Sequence, residues 1–318
     1  MRTEVNRRAF VKASVLASAG AAVVAGVSDA AGAAEASPGS AGALAPKDTL
    51  PTGKIGKLTI SRMLLGGNLL THYTHSRDLQ YVYSLAKHYN TDEKILETLA
   101  VAEAHGINTL SVHTAGNIVK LLKKHRDQKG GKMQWIICPT EPIEPGLDRF
   151  GKQVQSLVDD GVDAIYIWGV QADGLVNGKI DLMAKAVELV KSHGIACGVG
   201  GHRSEVVVEC EKAKVPNDFY IKTFHHHRYP SANLNHDSSW CADPDKLIEI
   251  MKGVQKPWIA FKTMAAGAIP PADAFSYVFQ NGADFVLAGM FDFEIAEDVR
   301  ICKSVLAGVK DRLRPWRA

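Results

Sequence analysis

Ligating and titrating side chains crowd one stretch of this chain, Phe219 to Cys241, which reads FYIKTFHHHRYPSANLNHDSSWC. A short apolar run ends in three consecutive histidines, His225, His226 and His227. Arg228 and Tyr229 follow, then a polar loop with His236, Asp237, Trp240 and Cys241. Imidazoles bind metals and carry protons near neutral pH. Lysine amines act as bases or form Schiff bases once burial lowers their pKa. Lys222 and Lys262 stand within or at the end of otherwise apolar runs, where a charge is costly unless paired or functional.

Such groups need a scaffold that brings distant segments together. From residue 54 onward, short β-prone runs alternate with helical patterns. Strands are expected over 62–68, 107–112, 133–138, 162–168, 195–199, 219–224, 258–262 and 285–289. A small hairpin is expected over 54–61, ahead of the first of them. Helices are expected over 91–104, 147–160, 181–193, 204–213, 271–281 and 294–306, with one starting at Asp243-Pro244. Thr91 and Asp243 are the expected N-caps. Eight strands alternating with helices describe an α/β (β/α)8 TIM barrel; a doubly wound open sheet is the alternative.

A barrel of this kind carries its working residues at the C-terminal strand ends. The catalytic candidates are then Lys262, His225, His113 and Lys222. Asn68, Trp168, Arg203, Arg228 and Arg77 are candidates for substrate binding. Trp168 would offer a flat face for a sugar, and the arginines would clamp a carboxylate or phosphate. Alternation along a strand would put His225 and His227 on one face, provided the strand continues that far. Together with His202 and His113 they form a candidate set for a divalent metal with an open coordination position. The same histidines could instead hydrogen-bond loop backbone. Residues 70–87 are long for a loop and carry His72, Tyr73, His75, Arg77 and Asp78, so they could close over the mouth.

The chain has 318 residues, 46% hydrophobic and 22% charged, with a formal net charge of +3. That balance gives no sign of a nucleic-acid partner. The cysteines at 138, 197, 210, 241 and 302 are an odd, dispersed set without a CxxC pair, and free buried thiols are expected. Residues 1–34 read as an export signal. Arg7-Arg8 precedes a weakly apolar run, Ala13 to Val27, and small residues follow it. Arg7-Arg8 with Phe10 and Lys12 resembles the twin-arginine signal, so the export machinery of that route is the expected partner and the periplasm, or another exported site, the expected address. The apolar run is short for a membrane span, which needs ~20 residues. No stable membrane insertion is expected after signal removal. Residues 35–53 read as a flexible linker and 54–318 as a single barrel domain.

Several stretches resemble the aldo-keto reductase superfamily. Ile60-Ser-Arg-Met-Leu-Leu-Gly-Gly-Asn68 is similar to its opening strand, and Glu97 to Leu110 to its first helix and second strand. Val162-Asp-Ala-Ile-Tyr-Ile167 resembles its fourth strand. Gly282-Ala-Asp-Phe-Val-Leu-Ala-Gly-Met290 with Ala296-Glu-Asp-Val299 resembles its last strand and helix. The resemblance implies a barrel that reduces carbonyls with NADPH through an Asp, a Tyr, a Lys and a His. Those positions fall here on Ser111, on the Tyr-free stretch 114–122, on Cys138 or Pro139, and on Trp168. The region expected to hold nucleotide phosphate carries Asp292 and Glu294, which repel it, although backbone N–H groups there could still hold an anion.

The expectation is therefore an exported barrel enzyme acting on a small polar substrate, such as a carbohydrate or keto-sugar. His and Lys would do acid–base work in lyase, isomerase or hydrolase chemistry, with a divalent metal as a candidate cofactor. A divergent NADP-dependent oxidoreductase is the alternative, with NADP the less favoured cofactor, and a non-catalytic ligand-binding barrel is the third reading.

Overall fold

The computed structural model describes residues 49–234 and 236–318. The segment read as an export signal, and the linker as far as residue 48, lie outside the described residues. Strands β1 (Thr52–Ile55) and β2 (Leu58–Ser61) form an antiparallel hairpin that turns at Gly56, where φ is 57°.

Eight parallel strands follow: β3 (Met63–Gly66), β4 (Thr109–His113), β5 (Gln134–Cys138), β6 (Ala164–Ile167), β7 (Ala196–Gly201), β8 (Phe219–Thr223), β9 (Trp258–Phe261) and β10 (Phe285–Ala288). Each pairs with the next in sequence, and β10 pairs with β3 to close the ring. The connections are helical: α1 (Tyr81–Tyr89), α2 (Asp92–Ala104), α3 (Ile118–Lys129), α4 (Asp148–Asp159), α5 (Gly169–Leu175), α6 (Ile180–Ser192), α7 (Glu205–Lys212), α8 (Pro244–Gly253), α9 (Pro271–Gln280) and α10 (Asp292–Gly308). This is the (β/α)8 barrel that the alternation of patterns predicts.

Strand alternation divides the apolar residues between two cores. Leu64, Ile136, Ala164, Phe219, Ile221, Ile259, Phe285 and Leu287 fill the barrel interior. Their strand neighbours, such as Met63, Leu65, Tyr220 and Trp258, face the helices. Burying a side chain of this size stabilises by roughly 1.5–3 kcal/mol. Ile55 and Ile60 of the hairpin join the interior cluster. Backbone groups of the hairpin bond Asn108 and Gln134, at the starts of β4 and β5. The hairpin therefore plugs the N-terminal end and leaves the C-terminal end open for a site.

A buried charge cluster pins the same closed end. The Asp284 carboxylate, just before β10, accepts from the Trp258 N–H at 2.9 Å, from Arg314 at 2.7 Å and from the Arg317 N–H at 2.7 Å. Arg314 also donates to the carbonyls of Val254, Lys256 and Gly282. Both charges are fully buried, and the hydrogen bonds meet the desolvation cost.

Local signals explain several element ends. Thr91 accepts from the Lys94 N–H at 3.3 Å and Asp243 from the Lys246 N–H at 2.9 Å, both as expected caps. Three helices were not expected, α1, α3 and α5. Helix α1 buries only Ala86, and exposed Tyr81 and Leu85 blur the apolar face formed by Val82, Ala86 and Tyr89. Strand β8 ends at Thr223, one residue before the expected end, and that one residue changes the reading of the histidines that follow.

Candidate functional site

A cavity of about 220 Å³ opens at the C-terminal end of the barrel. Asn68 leaves β3 into it, His113 ends β4, Trp168 follows β6, and His202 follows β7. Phe261 and Lys262 reach it from β9, and Tyr166 and Ile221 rise into it from the interior. Tyr73 and His75 from one loop and Asp237 to Ser239 from another close it from above. A second lobe of about 400 Å³ lies over the exits of β9 and β10 and shares Asn68, His75, Phe261 and Lys262 with the first.

His202 is held by Asp173 of α5. The imidazole Nδ1 lies 2.7 Å from one carboxylate oxygen, and the same carboxylate accepts the backbone N–H groups of His202 and Arg203. Burial alone would raise the Asp173 carboxyl. The bond to His202 and the N–H of Arg203 outweigh it and hold the group below its ordinary range. With Nδ1 fixed, Nε2 of His202 has no hydrogen-bond partner among the described residues. An oriented imidazole with one free nitrogen is a proton acceptor ready for use.

Lys262 directly follows β9 with φ at 58°, a left-handed conformation that costs a non-glycine residue about 1–2 kcal/mol. The interior residues Ile259 and Phe261 would put the next side chain outside the barrel, and the positive φ turns Lys262 back towards the mouth. Its ammonium donates to Ser238 Oγ and, at 3.2 Å, to the Ser239 carbonyl. Burial lowers the amine to about 8, against the opposing pull of Asp237 and Asp173. Ser238 Oγ also lies 3.3 Å from Nε2 of His75. Burial and the Lys262 charge lower that imidazole to about 4, so it is neutral. Its Nδ1 is buried without a partner among the described residues.

The two loops above the cavity are latched together. Asp237 accepts the backbone N–H groups of Ser76 at 2.6 Å and Arg77 at 2.9 Å. The Arg77 guanidinium lies over Trp240 and Tyr229, at 4.6 and 5.3 Å from the ring centres, and donates to Ser231 and to the Leu234 carbonyl. Arg77 thus fastens the cover and does not line either lobe.

Of the residues singled out from the sequence, Asn68, His113, Trp168, His202 and Lys262 meet at one cavity. His113 is a wall there. Its Nε2 is 2.9 Å from Thr71 Oγ1, its Nδ1 accepts the Ala115 N–H at 3.3 Å, and burial lowers its pKa. The others require correction. Lys222 alternates with the interior residues Phe219 and Ile221, so it points out of the barrel, where it donates to the carbonyls of His202 at 2.6 Å and Thr223 at 3.2 Å. Arg203 bonds Asn177 on the surface, and Arg228 pairs with Asp273 at 3.4 Å.

The triple histidine also departs from expectation. With β8 ended, strand alternation no longer governs it. His225 Nε2 accepts the Cys241 N–H at 3.0 Å and its Nδ1 bonds the His226 carbonyl at 3.0 Å. His227 Nε2 bonds the Cys241 carbonyl at 2.7 Å. These rings staple a loop to the strand exit and line neither lobe. His113 spends both nitrogens on Thr71 and Ala115, and His202 keeps only Nε2 free, so the candidate metal set does not converge. Among the described residues no group of three His, Cys, Asp or Glu side chains is placed to hold a metal ion. The five cysteines are free and buried.

The fold has solved counterparts. A proposed aldo-keto reductase from Pseudomonas aeruginosa is 18% identical with a TM-score of 0.55, over 81% of this chain and 97% of that one. An aldo-keto reductase from Bacillus halodurans, in its holo form, is 11% identical with a TM-score of 0.57, over 84% and 99%. A truncated 3-deoxy-D-arabino-heptulosonate 7-phosphate synthase from Thermotoga maritima is 12% identical with a TM-score of 0.51, over 82% and 95%. At such identities the likeness extends to the (β/α)8 fold alone. No family model and no curated protein matches the chain.

Proposed function

We propose that the cavity is the active site of an enzyme that shifts protons on a small hydroxy-carbonyl compound, such as a keto-sugar, in a lyase or isomerase reaction. One observation carries the reading: an amine lowered to about 8, Lys262, faces the same cavity as the Asp173-oriented imidazole of His202. Neutral Lys262 Nζ adds to the carbonyl carbon, and the carbonyl oxygen leaves as water, carrying one amine proton and one proton taken up from solvent, to give a protonated imine. The free Nε2 of His202 takes a proton from the adjacent carbon, and the electron pair moves into the imine as an enamine. Asp173 stabilises the resulting imidazolium. Return of the proton to the other face of that carbon gives an epimer, or loss of a hydroxide from the next carbon gives a dehydrated imine; addition of water to the imine then releases the product, restores the amine and returns a proton to solvent. Asn68 and the faces of Trp168 and Tyr73 orient the hydroxyls.

The test is reductive trapping. Purified protein is incubated with borohydride and a panel of small ketoses, aldoses and keto acids, and the adduct is mapped by peptide mass spectrometry. A single adduct at Lys262, lost in Lys262→Met, is expected. Adducts scattered over surface lysines, unchanged in Lys262→Met, would overturn the reading.

NADP-dependent reduction has less support. The four positions named above for the reductase residues carry other groups. At the start of α10, Glu294 already accepts the Phe291 N–H at 2.9 Å, and Asp292 is bonded to Tyr89 at 2.7 Å and Lys94 at 3.2 Å. These residues do not fit a nucleotide phosphate. A non-catalytic barrel would leave the depressed amine without a role. Export by the twin-arginine route is part of the proposal and rests on residues 1–34 alone. Fusing them to a reporter should move it out of the cytoplasm, and Arg7→Lys with Arg8→Lys should abolish that.

A further inference from the structure

We propose that the second lobe is a subsite for an organic ammonium group, a primary amine on an apolar body, with Asp298 as its counter-charge. Asp298 lies on α10 at the floor of this lobe and is 6% exposed. It has no hydrogen-bond or ion-pair partner among the described residues. Its nearest charged neighbours are like-signed. Burial raises its carboxyl to about 6, and Glu294 and Glu297 add to the shift. Glu297 is paired with Arg300 on the outer surface. Lys262 also lines the lobe, but its ammonium is turned to Ser238 and Ser239 and its charge is balanced by Asp237 and Asp173.

A second, independent observation points to a ligand. Thr74, Ser76 and Thr263 line the same lobe, 4%, 6% and 1% exposed, and none of their hydroxyls has a partner among the described residues. Buried polar atoms are almost always bonded, so unmet ones at a cavity wall mark where a ligand or water completes them. A primary ammonium carries three N–H donors. The Asp298 carboxylate and hydroxyls of this set would accept them. Leu79, Val82, Met264, Ile269 and Phe291 give the lobe an apolar side, which suits the body of the amine, while Asn68, His75 and Glu294 also line it. At the nearby helix start Glu294 occupies the Phe291 N–H, and its charge with that of Asp292 opposes an anion.

The inference does not depend on the chemistry assigned to Lys262, and its test is separate. Binding of 2-phenylethylamine, 2-phenylethanol and 3-phenylpropionate to the full chain is followed by calorimetry and by Trp240 fluorescence. The comparison covers the wild type, Asp298→Asn and Lys262→Met. The amine should bind at least about tenfold tighter than the alcohol, with a dissociation constant below about 1 mM. Asp298→Asn, shown by its melting curve to be folded, should lose that preference, and Lys262→Met should keep it. Equal or tighter binding of the alcohol or the acid, an undiminished preference in folded Asp298→Asn, or no amine binding up to about 10 mM would overturn the proposal. If trapping at Lys262 fails while the amine still binds, the proton-shift reading falls and this subsite stands.

Discussion

The imidazole Nδ1 of His202 lies 2.7 Å from the Asp173 carboxylate, which also accepts the His202 and Arg203 backbone N–H groups. One side chain thus sets both the ring and the loop that carries it. Asp173→Asn keeps the shape but presents a neutral amide. It should lower kcat for the trapped substrate by about 10–100-fold with little change in KM, the size expected for weakening one general base. Steady-state kinetics check this, and an unchanged kcat would remove the dyad from the mechanism.

Lys262 gives the activity its pH dependence. Only the neutral amine adds to a carbonyl, and burial lowers this amine to about 8. The rate of adduct formation should rise with pH and level off above about 8, well below the range of an ordinary lysine. A profile still climbing steeply at pH 10 would mean that another lysine is being read.

Asp298 predicts a stability change of definite sign. Its native carboxyl is raised to about 6, so between the ordinary aspartate range and pH 6 the folded state binds more protons than the unfolded one. Stability therefore falls as pH rises through that window, and the penalty is complete above it. Asp298→Asn should raise the Tm at pH 7 by about 2–4 °C, a gain on the order of 1 kcal/mol after solvent screening, and leave it nearly unchanged at pH 4. Melting curves at the two pH values decide.

The cover should loosen when Asp237 is changed. Asp237→Ala removes the acceptor for two backbone N–H groups and should cost about 1–2 kcal/mol locally. Hydrogen exchange of the Ser76 and Arg77 amides should quicken by an order of magnitude while the barrel strands stay protected. Asp78→Ala, an exposed neighbour, is the control.

The His225 ring should behave as structure. Its two nitrogens bond backbone groups of Cys241 and His226, so His225→Ala should lower stability by about 1–3 kcal/mol. Chelator should leave the wild-type Tm in place. A drop of several degrees on chelation would restore the histidine run as a metal site.

The barrel was legible because its signals are local. Strand β6 is a nearly unbroken apolar run, and Asp243-Pro244 announces α8 by cap chemistry alone. The strand-end rule then found Asn68, His113, Trp168, His202 and Lys262. It missed Asp173, which lies on a seven-residue helix opening with glycine and bearing no cap side chain. It missed Ser238 as the link between Lys262 and His75, because that link depends on where two loops meet. The histidine run misled for a physical reason. A ring's chemistry depends on what already holds its nitrogens, and backbone carbonyls and amides leave no mark in sequence. Lys222 could have been placed correctly, since parity with Phe219 and Ile221 sends it outward.

The Asp284–Arg314 cluster has a consequence for the order in which the ring is made. Strand β3 begins at Met63, yet its second neighbour β10 is more than two hundred residues later, and the clamp on β10 comes later still. A chain emerging from the ribosome therefore carries Met63–Gly66 as an unpaired sheet edge for almost the whole of its synthesis. Closure waits for Arg314, so the final step is a long-range and slow one. Until then the growing chain is exposed to edge-to-edge association, and a chaperone that shields that one strand would protect it best.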